Sequence, residues 1–126
     1  MQYNLEDRKM KLTPNFSLGE FVKAEHIELL TYDVFKELSL IANRLQVVRD
    51  VVQRPIKITS GWRPEPYNTE VGGVPGSTHT LGKAADFTCA KLDDVAKILK
   101  GWQGGFHHYK SQNFIHVDTR KAFIRW

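Results

Sequence analysis

Three residues of types that bind metals recur in this chain with suggestive spacing. His79 lies in the run Ser77-Thr78-His79-Thr80-Leu81-Gly82-Lys83-Ala84-Ala85-Asp86, and Phe114-Ile115-His116-Val117-Asp118 follows thirty residues after Asp86. Two imidazoles and one carboxylate are donors that zinc accepts, whereas magnesium or calcium would call for an oxygen-rich set. Three protein ligands leave one tetrahedral position open, which separates a catalytic zinc from a closed structural one. The spacing therefore suggests a zinc hydrolase. A His and an Asp seven apart also arise by chance, so spacing alone leaves a metal site and an unrelated pair both open.

The elements that must position these residues follow from periodicity. Ser17 and Glu20 fit a capping box, which predicts a short helix over Leu18 to Ala24. From Tyr32 to Val52, apolar residues at Phe35, Leu38, Ile41, Ala42, Leu45, Val48 and Val52 recur in three- and four-residue steps, the pattern of one apolar helix face. Pro55 stops that helix, and Ile56 to Ser60 alternates like a half-buried strand. Gly61 to Ser77 holds three prolines and four glycines and reads as a surface loop. Ala84 to Cys89 reads as a strand, and Asp93 as the cap of a short helix through Leu99 that ends near Gly101. Phe106 to Tyr109, Phe114 to Asp118 and Ala122 to Trp126 are strand candidates. Helices first and strands late predict an α+β fold, with N-terminal helices packed on a small, mainly antiparallel sheet.

In strand geometry His116 and Asp118 face the same side of the sheet, so Asp118 is placed beside whatever His116 binds. Gly82 would permit a close approach or a positive φ between the first two candidate ligands, and Ala84 and Ala85 would let the strand carrying Asp86 pack tightly.

Composition bounds the rest. With 126 residues there is room for one domain, read as a lead-in over 1–30 and a motif-bearing core over 56–126. A 41% hydrophobic and 25% charged chain is ordinary for a globular protein, and no apolar run is long enough to cross a bilayer. The mixed charges of the first ten residues do not make a secretory signal, which implies synthesis in the cytoplasm and action on a target after release by another route. Cys89 has no partner for a disulfide and reads as a small core residue. A net charge of +4 favours approach to polyanions, among them nucleic acid, cell wall and anionic membrane. The basic residues are scattered, with no Arg-rich helix or phosphate loop, so nucleic acid is not the expected partner; nothing in the chain suggests an obligate oligomer, so a monomer is expected. Trp62 is expected to line a groove, Trp102 and Trp126 to pack, and His26 to lie on the surface.

The run Ser-x-His-x-x-Gly-x-Ala-x-Asp, followed by an apolar-His-apolar strand, resembles the zinc D-Ala-D-Ala carboxypeptidase family of peptidoglycan peptidases, which shares its fold with the hedgehog signalling domain. Ile58-Thr59-Ser60-Gly61-Trp62-Arg63-Pro64 and Asn68-Thr69-Glu70-Val71-Gly72-Gly73 are similar to that family's Ser-Gly-aromatic-Arg and Asn-x-x-Val-Gly-Gly stretches. The stretch from Gly104-Gly105 through Tyr109 and on to Arg120 resembles the C-terminal hairpin of its compact members.

The resemblance implies that His79, Asp86 and His116 bind one zinc ion and that Arg63 holds the substrate or stabilises the oxyanion. It further implies hydrolysis of stem or cross-link peptides of peptidoglycan, by a carboxypeptidase or an endopeptidase, with a phage or prophage lysis enzyme as one setting. Where several branches of the family carry an acid, three positions before the last ligand, this chain has Asn113, and where others carry a histidine it has Phe114. The proton-transfer residue is then sought in Asp118 first, and in His108 or His107 next; Asp118 can equally be an acceptor that orients His116. The departure at Asn113 favours the competing reading, a zinc-containing cell-wall or protein-binding module without turnover.

Overall fold

The computed structural model describes residues 2–126. Its strands are β1 (Lys11–Thr13), β2 (Phe16–Ser17), β3 (Ile56–Ser60), β4 (Ala84–Cys89), β5 (Gly105–Tyr109), β6 (Phe114–Asp118) and β7 (Ile124–Arg125). Its helices are α1 (Leu18–Phe21), α2 (Tyr32–Val52), α3 (Glu65–Glu70) and α4 (Leu92–Ile98), with 3-10 turns between them. β1 and β2 form a small antiparallel hairpin, and the main sheet runs β3-β4-β6-β5-β7. Every pairing in that sheet is antiparallel except β5 with β7, so the α+β class holds.

Helix α2 begins where Thr31 accepts a hydrogen bond from the Val34 amide and ends at Gln53, whose φ of 53° breaks the ladder two residues before Pro55. Its predicted stripe is buried from Leu38 to Val52, and Phe35 packs half-buried at the rim. The stripe meets Ala85, Phe87, Ile115 and Val117, which point from β4 and β6 toward the helices. Lead-in residues Phe16, Leu18, Phe21 and Ile27 complete this core. Gln46, buried on α2, accepts from Thr13 Oγ1 at 2.7 Å and from the Asn15 amide at 2.9 Å, pinning the hairpin turn. That hairpin went unforeseen because two- and three-residue strands carry too little alternation to read.

Several expectations are corrected. The predicted loop Gly61–Ser77 contains α3, since Pro64 caps that helix and Pro66 sits in its first turn. In the first turn no intrahelical N–H is required, so prolines there start a helix instead of breaking one. The helix predicted to be capped by Asp93 begins two residues earlier, with Lys91 as its cap at φ 55°. The helix predicted to Ala24 stops at Phe21, and 3-10 turns follow over Ala24–Leu29. Cys89 lies half-buried against the core, without a disulfide among the described residues.

His26 is buried, not on the surface. Its ring lies 4.6 Å from Tyr67 and 6.5 Å from Trp62, and its Nδ1 has no hydrogen-bond partner. Burial pushes this imidazole below its usual pKa; nearby Glu25 and Glu70 oppose the shift and Lys23 adds to it. A histidine held neutral when folded but free to protonate when unfolded contributes stability above its unfolded pKa of ~6.5, and that stability is lost as pH falls through the folded value. His26→Leu should therefore flatten the stability curve below pH ~6.5, by about 1.4 kcal/mol for each unit of pKa depression removed. Urea titrations of both proteins between neutral and mildly acid pH check this, and parallel curves would refute it.

Candidate metal centre

The helices cover one face of the sheet, and the other face carries the site. Asp86 on β4 is the cross-strand neighbour of His116 on β6, which is in turn the neighbour of His107 on β5. Alternation therefore puts these three on the open face, together with Phe114, Asp118 and Tyr109. His79 arrives from a 3-10 turn over Thr78–Leu81, which Ser77 opens by accepting from the His79 amide and Gly82 closes at φ 74°. A Cβ on Gly82 would come within 2.8 Å of Val34 on α2, so glycine is required here both for its angle and for space.

The donor atoms of His79, Asp86 and His116 lie within 4.8 Å of one another, and all three residues are buried. His79 Nε2 is 3.2 Å, and His116 Nδ1 2.9 Å, from Asp86 Oδ1. The far nitrogens decide what this cluster is. His79 Nδ1 is 2.8 Å from the Gly61 carbonyl oxygen, which can only accept, so that nitrogen carries the proton. His116 Nε2 is 2.9 Å from Asp118 Oδ2, an ionised carboxylate that can also only accept. In the neutral tautomers both remaining lone pairs then point at the same oxygen of Asp86, an arrangement that requires a cation. The donor set fits a zinc ion, which His79 Nε2, Asp86 and His116 Nδ1 would hold, while Gly61 and Asp118 fix the two rings from behind.

The electrostatics agree. Burial opposes ionisation of Asp86, but hydrogen bonds from His116 and His79 and the charges of both rings outweigh it and hold the carboxyl at about 2. Burial likewise opposes the imidazolium of His116, yet the Asp118 and Asp86 carboxylates push its pKa up, so without a metal a proton takes the cation's place. For Asp118, burial is outweighed by His116, Arg120 and the Gly105 amide, which keep it well below the usual carboxylate range.

The structure separates the remaining site residues predicted from sequence. Arg63 lies in the site: its Nε donates to Ser60 Oγ at 3.1 Å, and its Nη2 is 3.6 Å from Asp86 Oδ2. Asp118 is close but fully enclosed, receiving the Gly105 amide at 2.7 Å on Oδ1 and a two-pronged Arg120 fork at 2.8 and 2.7 Å. With both oxygens engaged it has the geometry of the orienting acceptor and not of a proton shuttle. His108 is displaced from the site, because it pairs with Ile115 on the helix-covered face and its Nδ1 is 3.8 Å from Asp93 of α4. His107, one residue earlier, faces the open side. Asn113 has φ 58° and closes the turn into β6, a conformation asparagine tolerates well.

The tryptophans exchange their expected roles. Trp62 is buried, its Nε1 donating to the Thr80 carbonyl at 3.1 Å beneath the His79 turn. Trp126 is half exposed and walls the cleft: its ring stacks on His107 at 5.3 Å, lies 5.3 Å from the His116 ring, and donates through Nε1 to the Tyr109 hydroxyl at 3.1 Å. Eight residues beyond the end of β6, it gave no local signal of this placement. Trp102 packs as expected, donating to the Asp118 carbonyl at 2.8 Å.

The cleft over the three donors has a volume of about 550 Å³. One wall is Arg63 with Gly72, Gly73, Val74 and Gly76, and the wall on the β5 side is Tyr109, Arg120 and Trp126. Asp86 and His116 occupy the two strands between, β4 and β6, and His79 joins them from its 3-10 turn, so the trough passes across the donors.

An antiparallel sheet covered by helices on one face and bearing a His-Asp-His centre on the other matches the sequence comparison: the chain belongs to the peptidase M15 family, which it matches over residues 14–118. It is similar to the peptidoglycan L,D-endopeptidase MepK of Escherichia coli K12, 32% identical over 78 residues that cover 56% of this chain and 43% of the relative. The protein of the same name from Shigella flexneri matches to the same extent. The chain spans less than half the length of the curated relatives it matches.

Proposed function

We propose that this chain is a zinc-dependent peptidase that hydrolyses peptide bonds in the stem or cross-link peptides of bacterial peptidoglycan. The observation that carries the reading is the convergence of two imidazole lone pairs and a carboxylate at the floor of an open trough. Membership of the peptidase M15 family and the likeness to MepK support the substrate class. Bound there, zinc supplies Lewis-acid polarisation of a carbonyl and a lowered pKa for water.

The chain's own residues do the rest. Gly61 and Asp118 hold the imidazoles in their ligating tautomers. Arg63, fixed by Ser60, presents its guanidinium beside the metal carboxylate, where it can bind a substrate oxygen. His107 Nδ1 meets the Trp126 carbonyl oxygen, which leaves Nε2 to accept a proton. Burial, with the His108 and His116 rings nearby, pushes its pKa down and keeps it neutral at pH 7. A trough with walls on both sides of the ligands suits a peptide that extends past the bond in both directions, which favours an endopeptidase over a carboxypeptidase. The cell wall is its proposed place of action; no helix among the described residues is long and apolar enough to cross a membrane.

One observation favours the second reading, a binding module of the same fold: among the described residues, Asp86 is the only carboxylate lining the cleft. Digestion of purified sacculi by the zinc-loaded protein, its His116→Ala variant and its His107→Gln variant decides between them. The peptidase reading expects new peptide termini from the wild type, none from His116→Ala, and roughly 100-fold slower release from His107→Gln at full zinc content. Intact muropeptides in every sample, with zinc bound, would leave the binding module.

A further inference from the structure

The cleft has a second guanidinium, and its free edge points to what the substrate carries. Arg120 is only partly exposed, and it uses Nε and one proton of Nη2 on Asp118 while its backbone amide also reaches Asp118 Oδ1 at 3.3 Å. Nη1 makes no hydrogen bond among the described residues. A guanidinium presents two parallel-donor edges, and the one formed by Nη1 and Nη2 remains unfilled here. Its orientation is fixed by the Asp118 fork, and its Cζ lies 5.8 Å from the centre of the Trp126 ring, which is in turn 5.3 Å from the His116 ring. A single atom, Asp118 Oδ2, links the two: it is 2.7 Å from Arg120 Nη2 and 2.9 Å from His116 Nε2.

The charges point the same way. Asp86 and Asp118 are matched by Arg63 and Arg120, so a divalent cation leaves the cleft with a net positive charge that an anionic substrate would offset. A pre-oriented, half-dry guanidinium edge prefers a planar carboxylate, which it can bind with two hydrogen bonds.

The geometry points to Arg120 as the residue that reads a free carboxylate on the substrate peptide, one or two residues from the scissile bond on the β5 side of the cleft. This deepens the peptidase reading and names its substrate as an acidic peptide with that carboxylate unamidated. Arg63 lies on the opposite wall and is held by Ser60 and Asp86, so the two guanidiniums serve different ends of the peptide.

The test uses L-alanyl-γ-D-glutamyl-L-lysyl-D-alanine and the versions in which the D-glutamate α-carboxylate, the terminal carboxylate, or both are amides. Binding is followed by tryptophan fluorescence and calorimetry, with and without zinc, and hydrolysis is measured in parallel. Removing the carboxylate that Arg120 reads should weaken wild-type binding about tenfold or more. In Arg120→Gln that discrimination should vanish, whereas a purely structural role would weaken all four peptides alike. Arg120→Lys, which keeps a cation on Asp118 but has no second edge, should retain the fold and lose most of the discrimination. Equal wild-type affinity for all four peptides, or an amide penalty that persists in Arg120→Gln, overturns the assignment. Intact discrimination without hydrolysis of any peptide would instead overturn the peptidase reading and keep the carboxylate site.

Discussion

Asp86→Asn should bind zinc at least about 100-fold more weakly than the wild-type chain, the upper end of what losing even an orienting partner costs a metal site. The substitution preserves shape and removes only the charge, so the loss measures the electrostatics of the centre. Asp86 Oδ1 is the point on which His79 Nε2 and His116 Nδ1 converge, at 3.2 and 2.9 Å. An asparagine presenting its oxygen there offers a weaker, neutral ligand, and one presenting its NH2 group donates to both lone pairs and closes the site altogether. In the second case the metal-free variant is satisfied without a cation, and its stability should match or exceed that of the metal-free wild type. Competition with a chromophoric chelator gives the affinity, and urea denaturation of the metal-free proteins gives the stability. Zinc affinity within tenfold of wild type would show that the cation sits elsewhere.

How far this site could be read from sequence depends on how local each determinant is. His79, Asp86 and His116 were legible as residue types whose spacing alone left a metal site open and which the resemblance of the short runs around them singled out, and the strands under Asp86 and His116 as short apolar runs, because each of these runs is local. The apolar face of α2 was legible for the same reason: its 3.6-residue period is written continuously from Leu38 to Val52. What decided the roles of the surrounding residues was cross-strand register. His107 and His108 are indistinguishable in sequence, and only the pairing of His107 with His116 assigns one to the open face of the sheet and the other to the helix-covered face. Trp126 reaches the site because β7 lies alongside β5 in parallel, a pairing no short strand announces. His26 lacks any local mark of burial, as the aromatic rings that enclose it come from residues some forty positions later. Pro64 and Pro66 misled because proline's meaning depends on its position within a helix that was not yet located.

The largest stability effect should come from Asp118→Ala. This carboxylate is wholly enclosed and accepts from the Gly105 amide, the Arg120 fork and amide, and His116 Nε2. Deleting it strands several donors at a buried position, the Gly105 amide, the Arg120 fork and the His116 ring among them. The expected loss is about 3–5 kcal/mol, the cost of breaking a buried charged pair from one side. Gly105 belongs to the same construction, since a Cβ there would overlap the Asp118 carboxylate, so Gly105→Ala should share the defect.

Asp118→Asn separates this structural role from catalysis. It keeps the volume but must turn either its oxygen or its NH2 group toward a set of donors, so His116 loses the partner that fixes its tautomer. Zinc affinity should fall about 10- to 100-fold. At saturating zinc, however, hydrolysis should return to within about tenfold of wild type, because the proton acceptor proposed here is His107. A general base would behave differently, leaving activity about 100- to 10,000-fold down however much zinc is supplied. Titrating zinc into Asp118→Asn while following hydrolysis therefore distinguishes the two roles by whether activity recovers, and a persistent loss would move proton transfer from His107 to Asp118.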